Sequence, residues 1–138
     1  MAEKVRILLV DDEPGIVKMV GKRLEVAGFD VLVATDGQEA LTKARTKQPD
    51  LIILDLMLPK LNGFEVCRML KFDKGMKHIP IILFTALTRD TDEQMGLECG
   101  ADAYIRKPFR AQELLEKIRA LLPVAAAPGP VEQSQETA

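Results

Sequence analysis

Five short, near-continuous apolar runs recur along the chain: Val5–Val10, Asp30–Ala34, Leu51–Leu54, Ile79–Phe84 and Ala103–Ile105. Each is followed by a segment of helical character. A strand that is apolar on both sides of its pleat must be covered on both faces, which is the condition of a parallel sheet lying between helices. Strand then helix, five times over, requires right-handed crossovers. The expected fold is therefore α/β: a doubly wound sheet of five parallel strands in the order 2-1-3-4-5, the flavodoxin-like arrangement.

The intervening segments carry their own signals. Ile16, Val20, Leu24 and Ala27 recur every three or four positions before Gly28 supplies a stop. Asp36 and Glu39 have the spacing of a capping box ahead of Ala40, Leu41 and Ala44. Phe64, Cys67, Met69 and Leu70 mark a third helix. A thinner pattern over Thr91–Cys99, weakened by Gly96, predicts a fourth, and Leu114, Leu115, Ile118, Leu121 and Leu122 predict a fifth that Pro123 ends. The apolar rhythm stops there. Residues 4–122 read as one domain, and 123–138, rich in Pro, Ala and Gln, as a flexible tail or linker.

Charge and cysteine usage narrow the class. Net charge is −2 with both signs interspersed, so no broad basic face is evident, and neither direct nucleic-acid binding nor membrane binding is expected. The longest apolar runs are about six residues, far short of the roughly 20 that span a bilayer. No signal peptide is legible at the N-terminus. Cys67 and Cys99 match no metal or redox spacing and read as buried reduced thiols in a cytoplasmic protein. His78, the lone histidine, lies in a polar loop and reads as a surface residue.

The chemistry lies where the strands end. The first run closes on Asp11 and Asp12, the third on Asp55, the fourth on Thr85 and the fifth on Lys107 and Pro108. In a parallel sheet all carboxyl ends share one edge, and ligands bind there at the point where strand order reverses. With order 2-1-3-4-5 that point lies between the first and third strands, so Asp11, Asp12 and Asp55 should converge, flanked by Thr85 and Lys107. Three carboxylates in one place repel one another unless something positive compensates. A hard divalent cation does so, and Mg²⁺, with Mn²⁺ as a substitute, suits a few carboxylates plus water.

The stretches ILLVDDEP, PDLIILDLMLPKLNGFE, IPIILFTA and GADAYIRKPF, in this order over residues 4–122, resemble the receiver domains of bacterial two-component response regulators. The resemblance implies that Asp55 is the phosphoacceptor in a phosphorelay. It implies that Asp12 ligates the metal directly, Asp11 acts mainly through water, and Met57 lends its backbone carbonyl. Thr85 and Lys107 would grip the phosphoryl oxygens, and Lys107–Pro108 would be a cis peptide. Thr85 and Tyr104 would form the switch, changing the face made by the fourth helix, fifth strand and fifth helix. Met57 and Leu87 would flank the approach of the hydrolytic water. The implied partner is a histidine kinase or phosphotransfer protein, with the output unreadable and the protein a monomer or an activation-dependent dimer. It would be a signalling phosphoacceptor rather than an enzyme, although it promotes its own phosphorylation and dephosphorylation. An aspartate-nucleophile phosphatase would want a second Asp two residues after Asp55, where Met57 stands. A nucleotide-binding module would want a Gly-rich loop after the first strand, where the acidic DDEPG stands.

Overall fold

A computed structural model describes residues 4–58, 61–85, 99–107 and 109–122. The elements are β1 (Arg6–Val10), α1 (Pro14–Val26), β2 (Asp30–Ala34), α2 (Gly37–Lys47), β3 (Leu51–Asp55), α3 (Gly63–Lys71), β4 (Ile81–Thr85), β5 (Ala103–Arg106) and α4 (Ala111–Leu121). The sheet runs β2-β1-β3-β4-β5 with every pair parallel, as the alternation predicts.

Alternate strand residues feed two separate cores. Leu8, Val10, Ile52, Leu54, Ile81 and Leu83 pack with Leu41 of α2 and Val66, Cys67 and Leu70 of α3. Ile7, Leu9, Ile53, Ile82, Phe84 and Ile105 pack on the other face with Val20 and Leu24 of α1 and Leu114 and Ile118 of α4. Both faces of the central strands are buried, which is why their sequences are apolar without alternation.

Local chemistry sets the boundaries. Gly28 adopts φ 101, a conformation open to glycine, and turns the chain out of α1 into β2. Asp36 accepts the Glu39 N–H at 2.8 Å, and the Glu39 carboxylate accepts the Thr35 N–H at 2.8 Å. The predicted capping box is thus present, but its return arm reaches one residue further back than the motif implies. β4 begins at Ile81 rather than Ile79: Ile79 N–H closes a turn on Met76 O, and Pro80 has no N–H to offer the sheet. The N-cap of α1 is Glu13, without a side-chain cap bond, and Pro14 opens the helix.

The segment predicted as a fourth helix lies outside the described residues except for Cys99, which forms a turn with Gly100. Pro108, Leu87 and residues 123–138 also lie outside them. No helix among the described residues is long and apolar enough to cross a membrane.

Candidate phosphoacceptor site

The sheet register brings the strand ends level. Val10 pairs with Leu54, Asp55 with Phe84, and Thr85 with Arg106. Asp11, just beyond β1, and Asp55, the last residue of β3, therefore emerge side by side at the switch in strand order, and both are buried. Asp12 is exposed beside them. One carboxylate oxygen from each of Asp11, Asp12 and Asp55 lies within 4.8 Å of the others. The donor set is oxygen only, which fits a hard divalent ion such as Mg²⁺ or Mn²⁺ and not a soft one. The exposed Asp12 leaves room for water ligands.

Lys107 enters from the end of β5. Its Nζ donates to Asp11 Oδ2 at 3.2 Å and lies 3.6 Å from Glu13 Oε1 and 3.7 Å from Asp55 Oδ1. The ammonium stands 5.1 Å from the centre of the Phe84 ring, and that ring packs edge-on against Phe109. An aromatic face under a cation adds attraction and keeps the long side chain extended into the site.

The electrostatics follow from this crowding. Burial, and then the Asp11 charge, push the Asp55 carboxyl up to about 6, because Lys107 and the Met57 N–H only partly offset them. Burial works against the Lys107 charge, but the Asp55 and Asp11 carboxylates outweigh it and hold the ammonium above its ordinary value. Lys107 is thus firmly cationic, while Asp55 is a carboxylate short of positive compensation.

Backbone packing holds Asp55 in place. Gly63, the first residue of α3, donates its N–H to Leu56 O at 3.0 Å. A Cβ on Gly63 would stand 2.7 Å from Leu56 Cα and collide with the Asp55 carbonyl oxygen. Only glycine lets the start of α3 press this closely on the end of β3. Asp11 is fixed from its own side, with Oδ1 accepting the Glu13 N–H at 2.9 Å.

The remaining expected residues are distributed around this centre. Met57 donates its N–H to Asp55 Oδ1 at 3.4 Å, while its side chain is 63% exposed and free to border whatever approaches Asp55. Thr85 is the last residue of β4, one strand over. Tyr104 is half-buried in β5 and packs against the core on the α2–α3 face. His78 is exposed, as expected. Sequence reasoning missed Glu13 and Phe84 as neighbours of Lys107. Glu13 could have been suspected from its place directly after the acidic pair; Phe84 looks like any strand residue.

Residues 7–119 match the sequence profile of the response regulator receiver domain. The chain is 50% identical over 117 residues to the alkaline phosphatase synthesis transcriptional regulatory protein PhoP of Bacillus subtilis, covering 85% of this chain and 48% of that protein. It is 49% identical over 117 residues to the DNA-binding response regulator MtrA of Mycolicibacterium smegmatis, covering 85% and 50%. Among solved structures, the receiver domain of a sensor histidine kinase from Pseudomonas aeruginosa, with a magnesium ion coordinated in its active-site cleft, superposes with a TM-score of 0.80. That domain is 29% identical, with 86% of this chain and 98% of that chain covered.

The chain spans about half the length of the curated relatives it matches. The expectation of no direct nucleic-acid binding is overturned, because relatives at this level of identity are named as DNA-binding regulators. The interspersed charge of residues 4–122 speaks for this domain alone. A DNA-contacting surface elsewhere in a longer relative leaves no trace in it.

Proposed function

This chain belongs to the response regulator receiver domain family, and from that premise we propose that it takes a phosphoryl group onto Asp55 from a phosphohistidine of a histidine kinase or phosphotransfer protein. The observation that carries the reading is the convergence of buried Asp11 and Asp55, exposed Asp12 and cationic Lys107 at one sheet edge.

In the transfer, an Asp55 carboxylate oxygen attacks phosphorus in line as the bond to the imidazole nitrogen breaks, and the bonding pair leaves with the imidazole. The transition state is loose, so the protein's contribution is position and charge. Lys107 brings donors that can turn from Asp11 and Glu13 to the phosphoryl oxygens. Thr85 matches the family's hydroxyl donor to the same oxygens. A bound Mg²⁺ or Mn²⁺ would supply charge neutralisation, with Asp12, Asp55 and the Met57 carbonyl as candidate ligands and Asp11 acting mainly through water. Water later attacks phosphorus, the bond to Asp55 breaks, and the carboxylate is regenerated, so the signal limits itself. Between those events the added charge biases Thr85 and Tyr104 and, through them, the face that includes β5 and α4.

In this reading residues 4–122 are the receiver, 123–138 a tail or linker, and the cytoplasm the compartment. The relatives' names favour DNA as the site of output for the whole assembly. The test is incubation with acetyl phosphate and Mg²⁺ followed by intact mass. A gain of one phosphoryl group that vanishes in Asp55→Asn is expected. Full labelling of Asp55→Asn, or equal labelling in excess EDTA, refutes the assignment.

A further inference from the structure

We propose that Cys67 and Cys99 form a hydroperoxide-responsive dithiol that closes reversibly into an intramolecular disulfide. The two residues lie 32 positions apart, on α3 and in the turn before β5, yet the Cys67 thiol donates to the Cys99 carbonyl oxygen at 3.6 Å. Neither is in a disulfide, and both are buried. Their two elements are already fastened around them: Lys71 of α3 reaches Asp102 Oδ2 at 2.7 Å, and Gly100 lies so close that a Cβ there would meet Lys71 Cγ at 3.1 Å. The Cys67 sulfur thus sits against the backbone of Cys99, which makes the two residues neighbours in space despite their separation in sequence.

Their chemistry is unequal. The Cys67 side chain beside it lowers Cys99, against the opposing effect of burial, whereas Cys67 is raised by the Cys99 side chain and by burial. A thiol held below its ordinary pKa gives up its proton more readily and is the better attacking sulfur. Cys99 is 5% exposed and Cys67 not at all, so a small oxidant meets Cys99 first. Cys67 is fully buried in α3 and suits the resolving role.

The steps balance. The Cys99 thiolate attacks one oxygen of hydrogen peroxide; the S–O bond forms, the O–O bond breaks, and hydroxide leaves to become water with the thiol's proton. The Cys67 sulfur then attacks the sulfur of the resulting sulfenic acid; the S–S bond forms, the S–O bond breaks, and a second water leaves with the Cys67 proton. Two electrons from two thiols have reduced one peroxide. The crosslink would join α3, whose first residue abuts Asp55, to the segment that leads into Tyr104 and Lys107.

The experiment uses the full chain, folded and prereduced, exposed to hydrogen peroxide and then blocked with maleimide in denaturant. The expected product has lost two hydrogens, takes up no maleimide, yields a Cys67–Cys99 crosslinked peptide on digestion, and regains both thiols with dithiothreitol. Cys67→Ala should leave Cys99 as a sulfenic acid that dimedone traps. Should the peroxide-treated wild type still take up two maleimides, or join chain to chain instead, the proposal is overturned, whether or not the variant folds.

Discussion

Lys107 Nζ stands 3.2 Å from the Asp11 carboxylate and 3.7 Å from the Asp55 carboxylate, with Glu13 at 3.6 Å. One part-buried cation is therefore shared among three carboxylates, and Asp55 does not have it to itself. The attraction of Lys107 for Asp55 is set against the repulsion of the neighbouring Asp11 carboxylate and the cost of burying the charge, and it offsets them only in part. The geometry explains why burial dominates Asp55 and raises its pKa, and why a second source of positive charge fits the site.

The first prediction concerns pH and stability without metal. The Asp55 carboxyl is raised from 3.8 to about 6 in the folded chain, so the folded state holds its proton over a pH range where the unfolded chain has lost it. Stability then falls as pH rises through that window and stays low above it. A gap this wide corresponds to at most about 3 kcal/mol. In EDTA, Asp55→Asn should be more stable than wild type at pH 8 by up to that amount, and the difference should shrink as pH falls toward 4. Excess magnesium should narrow the pH 8 difference by binding the folded wild type. Urea titrations at several pH values decide it; a difference independent of pH counts against the account.

The second prediction contrasts two glycines. Gly63 presses on Leu56 and on the Asp55 carbonyl, whereas Gly21, in the interior of α1, would meet nothing within 4 Å if given a Cβ. Gly63→Ala should lose about 1–3 kcal/mol through overpacking and slow phosphoryl uptake from acetyl phosphate, because the strain falls on Asp55. Gly21→Ala should gain up to about 1 kcal/mol from helix propensity and leave uptake unchanged. Denaturant midpoints and mass-monitored uptake read both. Equal behaviour of the two variants removes the argument that Gly63 positions Asp55.

The five strands and the meeting of Asp11, Asp12, Asp55 and Lys107 were legible because they depend on where apolar runs stop, and a parallel sheet aligns those stops. Strand starts were less legible: β4 begins two residues late, because Pro80 and the Met76 turn act on the backbone rather than on the hydrophobic pattern. Contacts between residues far apart in sequence were not legible at all. Nothing in the spacing of Phe84 or Glu13 says that Lys107 lies beside them, and nothing in the 32-residue separation of Cys67 and Cys99 says that they touch. The charge pattern misled about nucleic acid for a different reason, since it reports only on the half of the relatives' length that this chain matches.

The third prediction is that loading Asp55 changes the edge of the sheet and not its centre. Tyr104 is half-buried against the core on the α2–α3 face, and Thr85 and Arg106 pair where β4 and β5 end. A charge added at Asp55 biases that edge between two packings. With beryllofluoride and Mg²⁺, amide signals of Thr85, Tyr104 and Lys107 should move, while those of Val31 and Leu32 in β2 should not. Unchanged signals at Thr85 and Tyr104 in the fully loaded protein would eliminate the switch.

The last prediction is that the phosphorylated state is long-lived and that Met57 is one cause. Hydrolysis needs a water aligned opposite the Asp55 oxygen. Met57 lies two residues beyond Asp55, is bound to its carboxylate through the backbone N–H, and holds its side chain 63% exposed at the rim. A thioether accepts hydrogen bonds weakly and donates none, so it can crowd a water but cannot orient one. An amide at the same place can do both. One well-placed water contact of about 1.4 kcal/mol changes a rate tenfold, so Met57→Asn should shorten the lifetime of the aspartyl phosphate by about that factor. Leu87, which by resemblance flanks the same approach, should act in the same direction when changed to Lys, which replaces an apolar side chain with a donor. The measurement is loss of the phosphoryl mass with time after the donor is removed, with stability checked in parallel, since an exposed Met57 should be replaceable at little cost to the fold. If both variants decay at the wild-type rate, the water is not controlled from these positions and the lifetime is set by Asp55, Lys107 and the metal alone.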